Sequence, residues 1–173
     1  LLEQKPVGWS AGMTQVHDRA PFLADGRVFV SPVIDGWVVC VGVSLFSWPD
    51  GGSGSLGERL AELSGKLDGE VHYFATHRIT EAHTWAKAAC GRLLRHYEYV
   101  GESGEVTANE GPSTPEEKRL GIALDDGDLL ADEDARRPQE EDVMTMAGAW
   151  GLDVQALDGL ALKVPPGILG ILP

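Results

Sequence analysis

Apolar positions change their period several times along the chain, and those changes mark the expected elements. Leu56, Leu60, Leu63 and Leu67 recur at i, i+4, i+7 and i+11, the spacing that lines one face of a helix. Ser55 and Glu58 have the separation of a capping box, and Asp68-Gly69 closes the helix. A second helical stripe, Val143, Met146, Ala147 and Trp150, follows Glu140-Glu141-Asp142, whose charges suit a positive helix N-terminus. Between the two, Thr114-Pro115-Glu116-Glu117 opens a short helix that stops near Gly121: a Thr cap, Pro first and Glu third. Near the start, Ser10 is placed to cap AGMTQVH, with Met13 and Val16 turning inward beside Trp9.

The remaining apolar runs have strand character. Arg27 to Val33 alternates weakly, and Trp37 to Val43 is almost continuously apolar. Asp35-Gly36 between them is a two-residue hairpin turn, because both positions tolerate positive φ. Pro32 marks an edge or a bulge, since it has no N–H for the ladder. Val71 to Ile79 is rich in β-branched and aromatic residues. The next stretch is ambiguous: Ala82, Trp85, Ala86, Ala89, Cys90 and Leu93 follow a helical period, yet Gly91 falls at a turn position and LLRHYEYV reads as a strand. Strand–turn–strand over 82–100 is the preferred reading, with a helix from Glu81 to Leu94 as the alternative. Glu105 to Thr107 is a short strand, and the apolar tail PPGILGILP an extended segment packed on the body. Trp48 to Gly54 is a flexible loop, and 124–139 a mobile acidic one. The sum is a single α+β domain over 1–173, an antiparallel sheet of about five or six strands with two or three packed helices. Its expected core is Trp37, Val39, Val41, Leu60, Leu63, Phe74, Trp85, Leu94, Val143 and Trp150.

Charge changes this picture more than composition does. From Glu98 to Asp142 the chain holds fifteen Asp/Glu against four Lys/Arg, a net of −11 out of −13 overall; the remaining twelve acids and ten bases nearly balance. Such a surface repels nucleic acid and anionic membrane and steers toward cationic partners. The longest apolar run is far short of the roughly 20 residues needed to span a bilayer, and no signal peptide is visible. Two cysteines are too few for a disulfide framework; Cys40 reads as a free buried thiol, and a reducing cytoplasm is expected.

Catalytic motifs are lacking. No P-loop is present, and no cofactor is expected. His72, His77, His83, Cys90 and His96 cluster in sequence, but their spacings match no zinc finger, zinc ribbon or HExxH pair. His77, Arg78, Glu81 and His83 around one reversal form the most polar cluster in a structural region. They are an alternative site for general acid/base chemistry, to be weighed against ordinary contacts at a strand end. No catalytic residue and no metal ligand is assigned. Glu98, Glu102, Glu105 and Glu110, with Tyr97 and Tyr99 as aromatic anchors, compose a candidate docking patch for a basic protein, against the plainer reading of a solvated face. A structural subunit docking through the apolar tail Ile168 to Leu172 is a third reading.

VFVSPVIDGWVVCVG, FATHRITEAHTWAKAACGRLLRHYEYVGESGE, NEGPSTPEEKRLG and EEDVMTMAGAW, in that order, resemble a family of small acidic actinobacterial proteins without an established activity. In that family the position of Cys90-Gly91 is usually a typical turn pair, which implies the hairpin over 82–100. The general character, small, acidic and α+β, is similar to that of immunity proteins of bacterial toxin systems. The resemblance supplies no cofactor and no catalytic residues to carry over.

Overall fold

The computed structural model describes residues 1–17, 26–45, 55–122, 124, 135–153, 156–157, 159 and 164–172. The chain divides into two compact units, Leu1–Ser53 with Val154–Pro173, and Gly54–Asp153. It is α+β, but its strands form two antiparallel four-stranded sheets, one in each unit, in place of the single larger sheet expected. Four α-helices lie among the described residues.

In the first unit, β1 (Leu2–Val7), β2 (Arg27–Ile34), β3 (Trp37–Val41) and β8 (Gly167–Ile171) pair in the order β1-β8-β2-β3, with helix α1 (Trp9–His17) alongside. The turn Asp35-Gly36 has both residues at positive φ, as expected. Pro32 sits in a bulge between Val30 and Val33, where the Ser31 hydroxyl accepts the Val39 N–H at 2.8 Å in place of a ladder bond. The tail is a strand, and an interior one between β1 and β2. Leu169 is buried with Val16 and Phe29, so the segment Ile168 to Leu172 is built into the fold and is not a free docking element. Strand β1 was not foreseen. Its sequence LEQKPV has neither alternation nor β-propensity, and it is recruited by pairing with β8. Cys40 and Cys90 are free and exposed, which corrects the buried thiol expected at Cys40.

The second unit is a meander, β4 (Glu70–His77), β5 (Ala82–Ala89), β6 (Arg92–Val100) and β7 (Glu105–Glu110), in sequential order. The hairpin reading of 82–100 holds: Cys90 and Gly91 both take positive φ between β5 and β6. Helix α2 (Leu56–Leu67) packs on one face, Leu60 against Ala86 and Ala88. Helices α3 (Pro115–Leu120) and α4 (Glu140–Trp150) serve the other face. There Val143, Met146 and Trp150 meet Trp85, Tyr97 and Tyr99, with the Trp85 and Tyr97 rings stacked at 4.5 Å. Helices on both faces explain the helix-like run of apolar residues in β5, because a strand covered on both sides need not alternate.

The leucine stripe of α2 is rotated from its expected position. Leu63 and Leu67 are 41% and 64% exposed, while Gly57, Leu60 and Ser64 face inward. Small residues let the helix approach the hairpin: the Ser64 hydroxyl accepts the Gly91 N–H at 3.1 Å. Leu94, also expected in the core, is 38% exposed. Lys87 pairs with Arg95 and Ala88 with Leu93, so Leu94 is the extra residue of a bulge.

That bulge turns Arg95 into the interior, where it and Glu117 are both fully buried. Arg95 Nε donates to the Glu117 carboxylate at 2.7 and 2.9 Å, and Trp85 Nε1 donates to it at 2.8 Å. The same carboxylate accepts the Thr114 N–H at 2.6 Å, completing the capping box of α3. Arg95 Nη1 reaches Asn109 Oδ1 at 2.7 Å and the carbonyls of Glu110 and Gly111 at 3.0 and 3.2 Å. Gly111, at φ 79°, passes so close to Leu94 that a Cβ would lie 2.3 Å from its carbonyl oxygen. One ion pair therefore ties β5, β6, β7 and α3 together. Glu117→Gln, which leaves a buried guanidinium without its counter-charge, should cost about 3–5 kcal/mol in urea unfolding. A double-mutant cycle with Arg95→Met should return a coupling of about 1–3 kcal/mol; strictly additive losses would show that the two side chains act independently.

Candidate partner-binding face

The docking patch and the polar cluster expected from sequence are both sorted by strand register. Residues paired across a ladder share a face, and neighbours along a strand do not. Glu98 pairs with Ala108, His96 with Glu110 and Val100 with Glu105, so Glu98, Glu105 and Glu110 lie on one face together with His96. It is the face that carries α2, since His96 also pairs with Ala86. Glu102 stands in the β6–β7 turn and its N–H bonds the Thr80 carbonyl at 3.0 Å. Glu102, Glu105 and Glu110 are exposed and Glu98 is half-buried. Tyr97 and Tyr99 point the opposite way, into the core beneath α4, and are almost wholly buried. They are core residues and do not anchor the patch, which corrects the sequence expectation.

On the acidic face the contacts are specific. Thr107 Oγ1 donates to Glu98 Oε1 at 2.8 Å. His96 Nδ1 lies 3.1 Å from Glu110 Oε1, and its Nε2 lies 3.9 Å from Glu98 Oε2. Burial first, and the Glu98 charge second, push the Tyr73 phenol up to about 12, so it remains protonated throughout the neutral range. Among the described residues no Lys or Arg pairs with Glu98, Glu102, Glu105 or Glu110.

Other acids of the 98–142 segment are spent internally. Glu117 is held by Arg95, and Asp142 is buried against Arg136 at 2.7 Å while accepting the Gln139 N–H. Glu140 takes both Nε and Nη2 of Arg78, at 2.8 and 3.1 Å, and Glu116 pairs with Arg119 at 3.1 Å. Arg78 holds the Glu140 carboxyl below the usual carboxylate range. Asp125, Asp126, Asp128, Asp132, Glu133 and Asp134, with the core of the acidic loop expected over 124–139, lie outside the described residues, as do residues 48–54. Among the described residues of this segment, the acids without a Lys or Arg partner are Glu141 and the four on β6, β7 and their turn.

His77 and His83 do not converge, whereas Glu81 lies near His83 and Arg78 pairs with Glu140, which also neighbours His83. Thr76 pairs with His83 and His77 with Ala82, which places the two histidines on opposite faces. Each is held by a neighbouring hydroxyl, His83 Nδ1 by Thr76 at 3.0 Å and His77 Nδ1 by Thr80 at 2.8 Å. Arg78 is committed to Glu140. Glu81 takes a left-handed turn conformation at φ 49° and gives its carbonyl to the Gly101 N–H. Among the described residues no group of three or more His, Cys, Asp or Glu is placed to hold a metal ion, and no helix is long and apolar enough to cross a membrane. Comparison of the chain with protein-family models, with curated proteins and with solved structures finds no match in any of the three.

The buried histidines give a pH dependence with a definite sign. Burial lowers the affinity of His83 for a proton, outweighing the nearby carboxylates of Glu81, Asp142 and Glu140. His72 is likewise lowered chiefly by burial, against an opposing Glu70. Unfolded, both take up a proton near about pH 6.5, so below that value the unfolded state binds more protons and stability falls. Urea midpoints should hold between about pH 8 and about pH 7 and decline toward about pH 5. His83→Asn, which can keep the Thr76 contact, should flatten that decline; an unchanged slope would remove His83 from the cause.

Proposed function

We propose that the chain is a protein-binding module that docks a basic partner through the β6–β7 face, most concretely a neutraliser of the immunity or antitoxin kind within a bacterial cell. The observation that carries this reading is the register of Glu98, Glu105 and Glu110. Three carboxylates share one face of adjacent strands, Glu102 stands at their end, and no Lys or Arg among the described residues neutralises them. Displayed, unneutralised charge on a rigid sheet accelerates encounter with a positive surface and disfavours anionic ones, whereas charge already paired does neither. The segregation of −11 of the −13 net charge into the segment 98–142 supports the same reading, and so does the general likeness in character to immunity proteins. An enzyme centred on His77, Arg78, Glu81 and His83 has no such support, since His77 and His83 lie on opposite faces of the sheet.

The test is capture from native lysate by the tagged chain, beside the variant Glu102→Lys/Glu105→Lys/Glu110→Lys. All three substitutions fall at exposed positions and should leave folding intact. The expected result is a basic protein retained at low salt, released as salt is raised, and absent from the variant. Equal retention of that protein by both forms would overturn the reading.

A further inference from the structure

The acidic face contains one acceptor that no internal group uses. His96 is 5% exposed and its Nε2 has no hydrogen-bond partner and no solvent contact. Its other nitrogen, Nδ1, faces Glu110 Oε1 at 3.1 Å. A carboxylate accepts only, so Nδ1 carries the proton of that bond, and in the neutral ring Nε2 is left as a lone pair. The nearest carboxylate oxygen to it, Glu98 Oε2, is 3.9 Å away, too far for a direct bond and itself an acceptor. A buried polar atom left without a partner is costly, and a group with several N–H donors satisfies two neighbouring acceptors together.

Resting on the proposed docking of a basic protein, we infer that His96, Glu98 and Glu110 form a subsite for an arginine side chain of the partner. The guanidinium supplies donors to Nε2 and to the Glu98 carboxylate at once. Glu98, on a side chain 35% exposed, presents its carboxylate Oε2 to the incoming cation beside Nε2. Thr107 steadies the second Glu98 oxygen from 2.8 Å, and Glu110 holds the ring in the tautomer that accepts. Arginine is favoured over lysine because Nε2 lies out of reach of water: the donor must shed its hydration there, and a guanidinium is more weakly hydrated than an ammonium.

The experiment is an NMR titration of the labelled protein at about pH 8, above the ordinary imidazole range, with N-acetylarginine amide and N-acetyllysine amide at fixed ionic strength. The expected result is an unprotonated Nε2 in the free protein. Arginine amide then gives a saturable change at the His96 ring and at residues 98 and 110, and lysine amide binds more weakly. Glu98→Gln should weaken arginine binding about ten- to a hundredfold, the worth of one hydrogen bond to a charged group. A protonated Nε2, or equal response to both amides spread over all the acidic positions, would overturn the subsite while leaving electrostatic docking intact. Failure to capture a basic protein from lysate, with arginine binding at His96 preserved, would overturn the docking reading instead.

Discussion

The buried pair of Arg95 and Glu117 is the constraint on which the larger unit depends. Two opposite charges taken out of water are unfavourable unless the geometry is close and the remaining donors and acceptors are met. Here the carboxylate accepts from the Arg95 guanidinium, the Trp85 indole and the Thr114 backbone, and Nη1 of the guanidinium goes on to Asn109 and the turn after β7, while Nη2 alone of its nitrogens has no hydrogen-bond partner. A pair with so many partners specifies position as well as adding stability. It holds the bulge in β6, the Asn109–Gly111 end of β7 and the start of α3 together, and with them the position of Glu110.

From strand register comes a division of labour across one sheet. The face under α4 is spent on packing, with Trp85 and Tyr97 stacked, Phe74 against Trp150, and Tyr99 closed over by the same helix. The opposite face is covered by α2 at one end, and toward β6 and β7 it displays carboxylates. Alternation along β6 puts Tyr97 and Tyr99 on the first and His96 and Glu98 on the second. Aromatic residues and acids that interleave in sequence therefore serve separate purposes, and the binding reading rests on the acids and His96 alone.

Much of the fold was legible because local chemistry agreed with it. Asp35-Gly36 forms the hairpin its residues favour, Gly91 supplies the turn after Cys90, Thr114 and Glu117 close a capping box, and Val143, Met146 and Trp150 face inward as their spacing requires. What was illegible is tertiary. Nothing local announces that LEQKPV becomes a strand, since its partner β8 is more than 150 residues away. The rotation of α2 follows from small residues, Gly57 and Ser64, admitting the β5–β6 hairpin, a preference that a count of leucines overlooks. The same holds at the site. The acidic excess was visible, but not that Glu117 and Asp142 are internal, nor that a bulge at Leu94 turns Arg95 inward. The alternation of LLRHYEYV was the available signal that its tyrosines and its His96–Glu98 pair belong to opposite faces.

Hydrogen exchange on Glu117→Gln, read residue by residue, tests most directly whether the buried pair holds the acidic face in place. If it does, the amides of β7 and α3 lose protection together and by more than those of β4, while the first unit is unchanged. Protection of β7 equal to that of the parent protein, with Arg95 left without its counter-charge, would contradict the dependence of that face on the pair.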